Sequence, residues 1–378
     1  MWPYVQINNL NQMQGPLNEI ERHLLFIGSA PSNTGKLISL NTQSNFDTLL
    51  GEADSELKTN VLAAMANAGQ NWTAAAFVLP TDMDWKDAVR EAQKTQSFEG
   101  CVVLGQEWDQ AKINAAHALN QELIAKWGRW QFMLLAVPGI VATAEGKASP
   151  AQTWTDYETK LTALQKGIKA DSINLVPQLW PNLVGAYAGR LCNRAVSIAD
   201  SPCRVKTGAL VGLGDKPKDK DGIELPLATL QTLEKNRYSV PMWYPDYDGI
   251  YWADGRTLDA EGGDYQVIEN QRIAYKVARQ MRIRAIPRIG DRSFNSTPSS
   301  TAAAITYFGK DLRTMSKATT INGQPFPGDI ASPQDGDIRI HWPAKNLVSV
   351  FVVVRTVDCP KGITVNIMLD LSLNNGEG

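Results

Sequence analysis

The sequence predicts a mixed α/β chain of more than one domain, with extended segments at both ends. Short apolar runs alternate with helical repeats from His23 to about residue 180, and the last third turns to strands separated by Pro and Gly. The length, 378 residues, exceeds what one ordinary core organises, since single domains cluster at about 100 to 200 residues.

Composition narrows the class. An apolar content of 43% with 20% charged residues is that of a folded protein with a sizeable core. With 37 Lys and Arg against 39 Asp and Glu, there is no global field for wrapping nucleic acid or lying on an anionic membrane. The longest apolar runs, Phe132 to Val137 and Leu347 to Val354, fall short of the ~20 residues that span a bilayer. Met1 leads into an aromatic and polar segment without a basic n-region, so use in a cytoplasm is expected. Cysteines at 101, 192, 203 and 359 share no CxxC spacing, and histidines stand only at 23, 117 and 341. Neither a disulfide framework nor a zinc site is expected, and no cofactor.

Residues 1–10 look extended: Pro3 restricts Trp2, and Tyr4, Val5 and Ile7 favour strand. Such an arm could pair with a sheet edge of its own or a neighbouring subunit. HLLFIGSA and LISL read as strands, and NFDTLLG as a short helix capped by Asn45 or Ser44 and stopped by Gly51. Leu57, Val61, Leu62 and Met65 carry helical spacing, TAAAFVLP follows as a strand, and Trp85 to Lys94 as a helix. CVVLG at 101–105 is a buried strand, Asp109 to Trp127 a helix, 130–139 a strand, and 142–151 a surface loop. A helix is predicted over Thr155 to Ile168, an apolar stretch from Ile173, and helix again after Pro181. GDKPKDKDG at 214–222 reads as an exposed linker. Helices follow over Leu227 to Asn236, 266–284 and Thr301 to Lys317, the last with Ser299 or Ser300 as cap. Three closing strands are predicted as a meander, the third alternating through Ile363, Val365, Ile367, Leu369, Leu371 and Leu373, with one face buried.

Several motifs invite chemistry. GSAPSNTGKL follows a strand as a phosphate loop would, but Ala30 stands where the first glycine belongs and Leu37 where a magnesium-holding hydroxyl belongs, so an ordinary turn is the reading. GLGDK at 212–216 lacks a third glycine. Residues 243–265 gather Tyr244, Tyr247, Tyr251, Trp252 and Tyr265 among Asp246, Asp248, Asp254, Asp259, Glu261 and Asp264. An acid and base pair beside sugar-binding aromatics is one reading, a carbohydrate-active enzyme using Asp248, Asp254 and Glu261. Polar turns over packed aromatics are the other, and three scattered histidines argue against a triad. Two basic stripes, Arg272, Lys276 and Arg279, and Lys310, Arg313 and Lys317, read as solvated helix faces or contacts for an acidic partner.

In order along the chain, LLFIGSA, LISLNTQSNFDTLLG, VLAAMANAGQNWTAAAFVL, GIYWADGRTL and ENQRIAYKVARQM resemble segments of the contractile tail sheath proteins of bacteriophages and related injection particles. Ala68-Gly69 occupies the family's turn before the third of these strands, and Asp254-Gly255 is shifted against its usual Gly-Ala. Residues 140–235 have no match to that pattern. The resemblance implies a multi-domain sheath-like fold: an arm at 1–22, an α/β domain at 23–235 variable after about 140, an assembly domain at 236–362 and a terminal strand at 363–378. It implies a non-enzymatic subunit that stacks in helical six-membered rings around an inner tube and contracts to drive that tube through an envelope. The implied partners are other copies of the chain, the tube protein, and baseplate and tail-terminator proteins, with no nucleic acid contact and no membrane insertion. The implied place is the virion, after assembly in the host cytoplasm. Tyr4, Val5, Ile7, Ile363, Val365, Ile367 and Leu369 would link subunits by strand exchange, and Lys310, Arg313 and Lys317 would face the tube.

Overall fold

A computed structural model describes residues 20–143 and 149–368. Tyr4, Val5, Ile7, Leu369 and the centre of the loop expected at 142–151 lie outside the described residues. The first part runs β1 (Leu24–Gly28), β2 (Leu37–Asn41), α1 (Phe46–Leu50), α2 (Glu56–Ala68), β3 (Thr73–Val78), α3 (Trp85–Thr95), β4 (Gly100–Val103), α4 (Gln110–Trp127), β5 (Phe132–Val137), α5 (Trp154–Gln165), β6 (Ile173–Pro177) and α6 (Leu183–Leu191). Its six strands form one sheet in the order β2-β3-β1-β4-β5-β6. All neighbours are parallel except β2, which meets β3 antiparallel.

Strands covered on both faces cannot alternate, which is why β1, β4 and β5 are continuous apolar runs and are buried throughout. The helices start where short polar side chains take orphan N–H groups. Asn45, Ser55, Asp84 and Asp109 accept from Thr48, Lys58, Lys86 and Lys112, and Thr153 with Asp156 forms a capping box. Helices α2 and α6 pack at backbone distance. A Cβ on Gly185 would sit 2.1 Å from the Asn60 carbonyl oxygen, and one on Gly189 2.3 Å from that of Ala64. Asn60 closes the contact by accepting from the Gly185 N–H and donating to the Pro181 carbonyl.

Next come α7 (Leu227–Lys235), the hairpin β7 (Pro241–Tyr244) and β8 (Tyr247–Trp252), α8 (Ile268–Ala285), α9 (Pro298–Met315), the hairpin β9 (Thr319–Ile321) and β10 (Gln324–Phe326), and the hairpin β11 (Ile338–Ala344) and β12 (Leu347–Val352). Among the described residues the hydrophobic interior has two parts. The larger surrounds the sheet and takes in Tyr238, Val240, Trp252, Leu258 and Ile268, so residues 236–262 pack with the sheet. The smaller is built from Ile273 and Val277 of α8, Phe308, Leu312 and Met315 of α9, and Ile330 and Ile338. Helix α8 joins the two.

Three expectations need correction. The stretch 214–222 is no free linker: Asp219 is buried and its carboxylate accepts from the N–H groups of Trp154, Asp221 and Ile223, binding the stretch to the start of α5. Its alternating charges concealed one carboxylate with a capping task. Helix α9 begins at Pro298 with Thr297 as its cap, because proline suits the first helical position, where no N–H is needed. The third strand of the expected meander has no pairing among the described residues. Ile363, Val365 and Ile367 are 79%, 74% and 89% exposed, so their alternation leaves no face buried within the chain.

Candidate assembly interface

The central stretch is the seam of the molecule. Arg272 on α8 donates from Nε and a terminal nitrogen to the two carboxylate oxygens of Glu99, at 2.6 and 2.9 Å, and to the Leu191 carbonyl at 3.0 Å. Both side chains are almost wholly buried. Burial alone would push the Glu99 carboxyl up, but the Arg272 guanidinium, the Arg22 N–H and the Arg279 charge together hold the group below the usual range. The backbone N–H of Arg22 also donates to Glu99. Farther along α8, Lys276 pairs with Asp329 at 3.0 Å and Arg279 with Glu21 at 2.7 Å. The stripe Arg272, Lys276 and Arg279 is therefore an internal clasp and not a solvated face, because each cation meets a carboxylate from a distant part of the chain.

The acidic and aromatic cluster is divided among separate tasks. Trp252 is fully buried and stacks on Tyr187, with ring centres 4.1 Å apart and planes 7° apart. Asp254 and Glu269 both grip Lys361, each at 2.8 Å. Burial raises the Glu269 carboxyl, with Lys361 opposing. Burial would lower the Lys361 ammonium, but Glu269 and Asp254 raise it and keep it protonated. Asp248 and Glu261 are exposed on the β7–β8 hairpin and in a later turn. Asp254 is thus neutralised by a lysine while the other two face solvent, an arrangement that gives an acid and base pair no support.

Lys361 is where the body ends and the extended segment begins. Beyond it Ile363, Val365, Ile367 and Met368 are each at least 74% exposed. Lys310 and Arg313 on α9, and Lys317 in the bend just past its end, are also exposed, with the Arg313 guanidinium turned back onto the Thr306 carbonyl at 2.7 Å. The phosphate-loop-like segment is a turn: Asn33 and Gly35 take positive φ, and the chain enters β2 and not a helix. Sequence reasoning passed over Glu99 and Lys361. The signal for Glu99 was a carboxylate one glycine ahead of the wholly apolar CVV of β4.

Residues 2–256 match the family model "DUF2586, N-terminal domain" and residues 264–372 the model "DUF2586, C-terminal domain". The "Putative tail sheath protein" of Haemophilus phage HP1 is 54% identical over 377 residues, covering 98% of this chain and 99% of that one. The anti-feeding prophage helical sheath in its contracted state shares the fold at a TM-score of 0.60 and 12% identity, over 97% of this chain and 99% of the other. The sheath tail protein of Listeria innocua does so at 0.57 and 9%, over 90% and 93%. On a family match spanning both halves and a phage relative identical at more than half of its positions, the chain belongs to the DUF2586 family of contractile tail sheath proteins.

Proposed function

We propose that the chain polymerises as helical six-membered rings around an inner tail tube and, triggered at a baseplate, contracts to drive the tube through the target envelope. It acts by assembly and not by catalysis, in a virion tail put together in the host cytoplasm and closed by a terminator protein. The observation that carries this reading is the segment after Lys361: an alternating apolar strand sequence that finds no sheet partner among the described residues and, as far as residue 368, stands exposed. Exposing such a surface in a monomer is unfavourable, at about 25 cal/mol per Å² of apolar area. A strand acceptor in another copy removes that cost through main-chain hydrogen bonds.

The acceptor in this reading is a hairpin of the β11–β12 kind, since two strands alone are marginal and gain by a third. Leu347 and Phe351 of β12 are more than half exposed, leaving apolar surface for an added strand. Tyr4, Val5 and Ile7 serve as the second exchanged arm, Leu369 continues the first, and Lys310, Arg313 and Lys317 face the acidic surface of the tube. The shared fold with a helical sheath in the contracted state supports a subunit built for such an assembly.

Replacing Ile363, Val365 and Ile367 together with Asn tests the arm. Thermal unfolding of the soluble chain is expected to stay unchanged while electron microscopy finds no hollow tubes; tubes as long as wild type would refute it. Deletion of residues 1–10 is expected to act alike. Reversing Lys310, Arg313 and Lys317 is expected to spare the fold but weaken attachment to the tube.

A further inference from the structure

Of the six cations that line two adjoining recesses beside α4 and α8, four are matched within the chain. Lys94 pairs with Glu91, Lys126 with Glu122, Lys276 with Asp329 and Arg279 with Glu21. Arg129 and Arg282 are the exception, for neither has an ion pair among the described residues. They lie together: Gly128, the left-handed residue that ends α4, has no side chain, and the Arg282 guanidinium occupies that space, 2.4 Å from where a Cβ would stand. The Arg129 Nε is buried with no hydrogen-bond partner. Burial first, and Arg282 second, lower the pKa of this guanidinium, as expected of a cation lacking a counter-charge. The two arginines rim adjoining recesses of about 390 and 370 Å³, the second also walled by Trp127, Trp130 and Ile283. Apolar aromatic walls with two uncompensated guanidinium groups favour an occupant that is both aromatic and acidic.

The chain carries such an element. At the turn of the β7–β8 hairpin, Tyr244 and Tyr247 are 40% and 55% exposed, with ring centres 6.3 Å apart. Asp246 and Asp248 flank Tyr247, both exposed, and neither is ion-paired among the described residues. The hairpin therefore does not fill the recess of its own chain. Tyrosine offers a ring face to a guanidinium and carboxylates offer it hydrogen bonds, so the hairpin carries both interactions the recess lacks.

We propose that the β7–β8 hairpin tip of one copy docks in the Arg129–Arg282 recess of the next. The hairpin and the recess are different patches of one surface, so the contact is head-to-tail and propagates as a ring or helix, not as a closed dimer. The inference rests on the self-assembly proposed above but is independent of the arms. Of the arginines along this part of α8, Arg272 and Arg279 are consumed internally, while Arg282 remains available.

The test uses the full chain in two reversed forms. One carries Arg129→Glu with Arg282→Glu. The other carries Asp246→Asn with Asp248→Lys, because asparagine accepts the positive φ of position 246. Both are expected to keep the wild-type unfolding temperature and to raise the concentration at which polymer first sediments about tenfold or more. Combining all four changes is expected to recover much of the loss. A disulfide between Asp248→Cys and Arg282→Cys, seen as linked chains in polymer but not in dilute monomer, gives a second readout that needs no reversed charge. Polymerisation unchanged in the reversed forms, or no recovery and no crosslink, would overturn the docking while leaving the sheath reading intact; the latter result is what binding of residues 1–19 in the recess would give. Failure of the wild-type chain to form tubes would remove both.

Discussion

Arg272 and Glu99 are 173 positions apart in sequence and meet through two hydrogen bonds in a site closed to solvent. A buried ion pair contributes little over an apolar pair of similar shape, but breaking it strands a charge. Glu99→Ala is therefore expected to destabilise by ~3–5 kcal/mol, and Glu99→Leu with Arg272→Met by much less. Urea unfolding of both variants measures the difference; equal losses would show that the pair matters only through its packing.

The same carboxylate gives a pH signature. Its folded-state pKa lies below the ordinary value, which is about 4.3. The stabilisation is then fully present above about pH 4.3 and is lost as pH falls through the depressed folded value. Urea midpoints of the wild type are expected to drop in that acid range, with a shallower drop for Glu99→Gln. Parallel curves would assign acid sensitivity elsewhere.

Trp252 fills the space beneath Tyr187 and is fully buried. Trp252→Ala is expected to cost ~3–5 kcal/mol, and Trp252→Phe clearly less because a stacked ring remains. Chemical denaturation followed by circular dichroism ranks them.

Lys361→Met removes the cation between Asp254 and Glu269. The lysine is partly exposed, so the global loss is expected to be modest, about 1–2 kcal/mol. Limited proteolysis is the sharper measurement: cleavage within 355–368 should accelerate while the rest of the chain stays resistant. Unchanged cleavage would mean that the segment is held elsewhere.

Gly185→Ala drives a Cβ onto the Asn60 carbonyl. Overpacking of this kind costs about 1–3 kcal/mol, and a fall in unfolding temperature is expected although alanine is the better helix former. A stabilised variant would show that α2 and α6 move apart freely.

The sheet and its helices were legible because their signals are local. Apolar runs such as LLFIG, TAAAFV and FMLLAV mark doubly covered strands, and Asn45, Asp109 and the small polar residues before other helices announce their starts. The seam was not legible, because periodicity locates a face without telling what it meets. Arg272, Lys276 and Arg279 have the spacing of a solvated stripe, yet Glu99, Asp329 and Glu21 come to them from three remote places. The terminal strand shows the converse: Ile363, Val365 and Ile367 have strand periodicity, but a strand needs a partner, and their own chain offers none among the described residues. Likewise 243–265 looked like one site because its residues are adjacent in sequence, whereas the fold sends Trp252 inward, Asp254 to a lysine and Asp248 to solvent.

The grip of Asp254 and Glu269 on Lys361 also has a mechanical meaning. Any pull on the chain beyond residue 361 first reaches that ammonium, and Glu269 passes it to the first turn of α8. Three residues on, Arg272 ties the same helix to Glu99 at the head of β4. Tension applied to the tail thus has, beside its covalent path through β12, a short side-chain route into the centre of the six-stranded sheet.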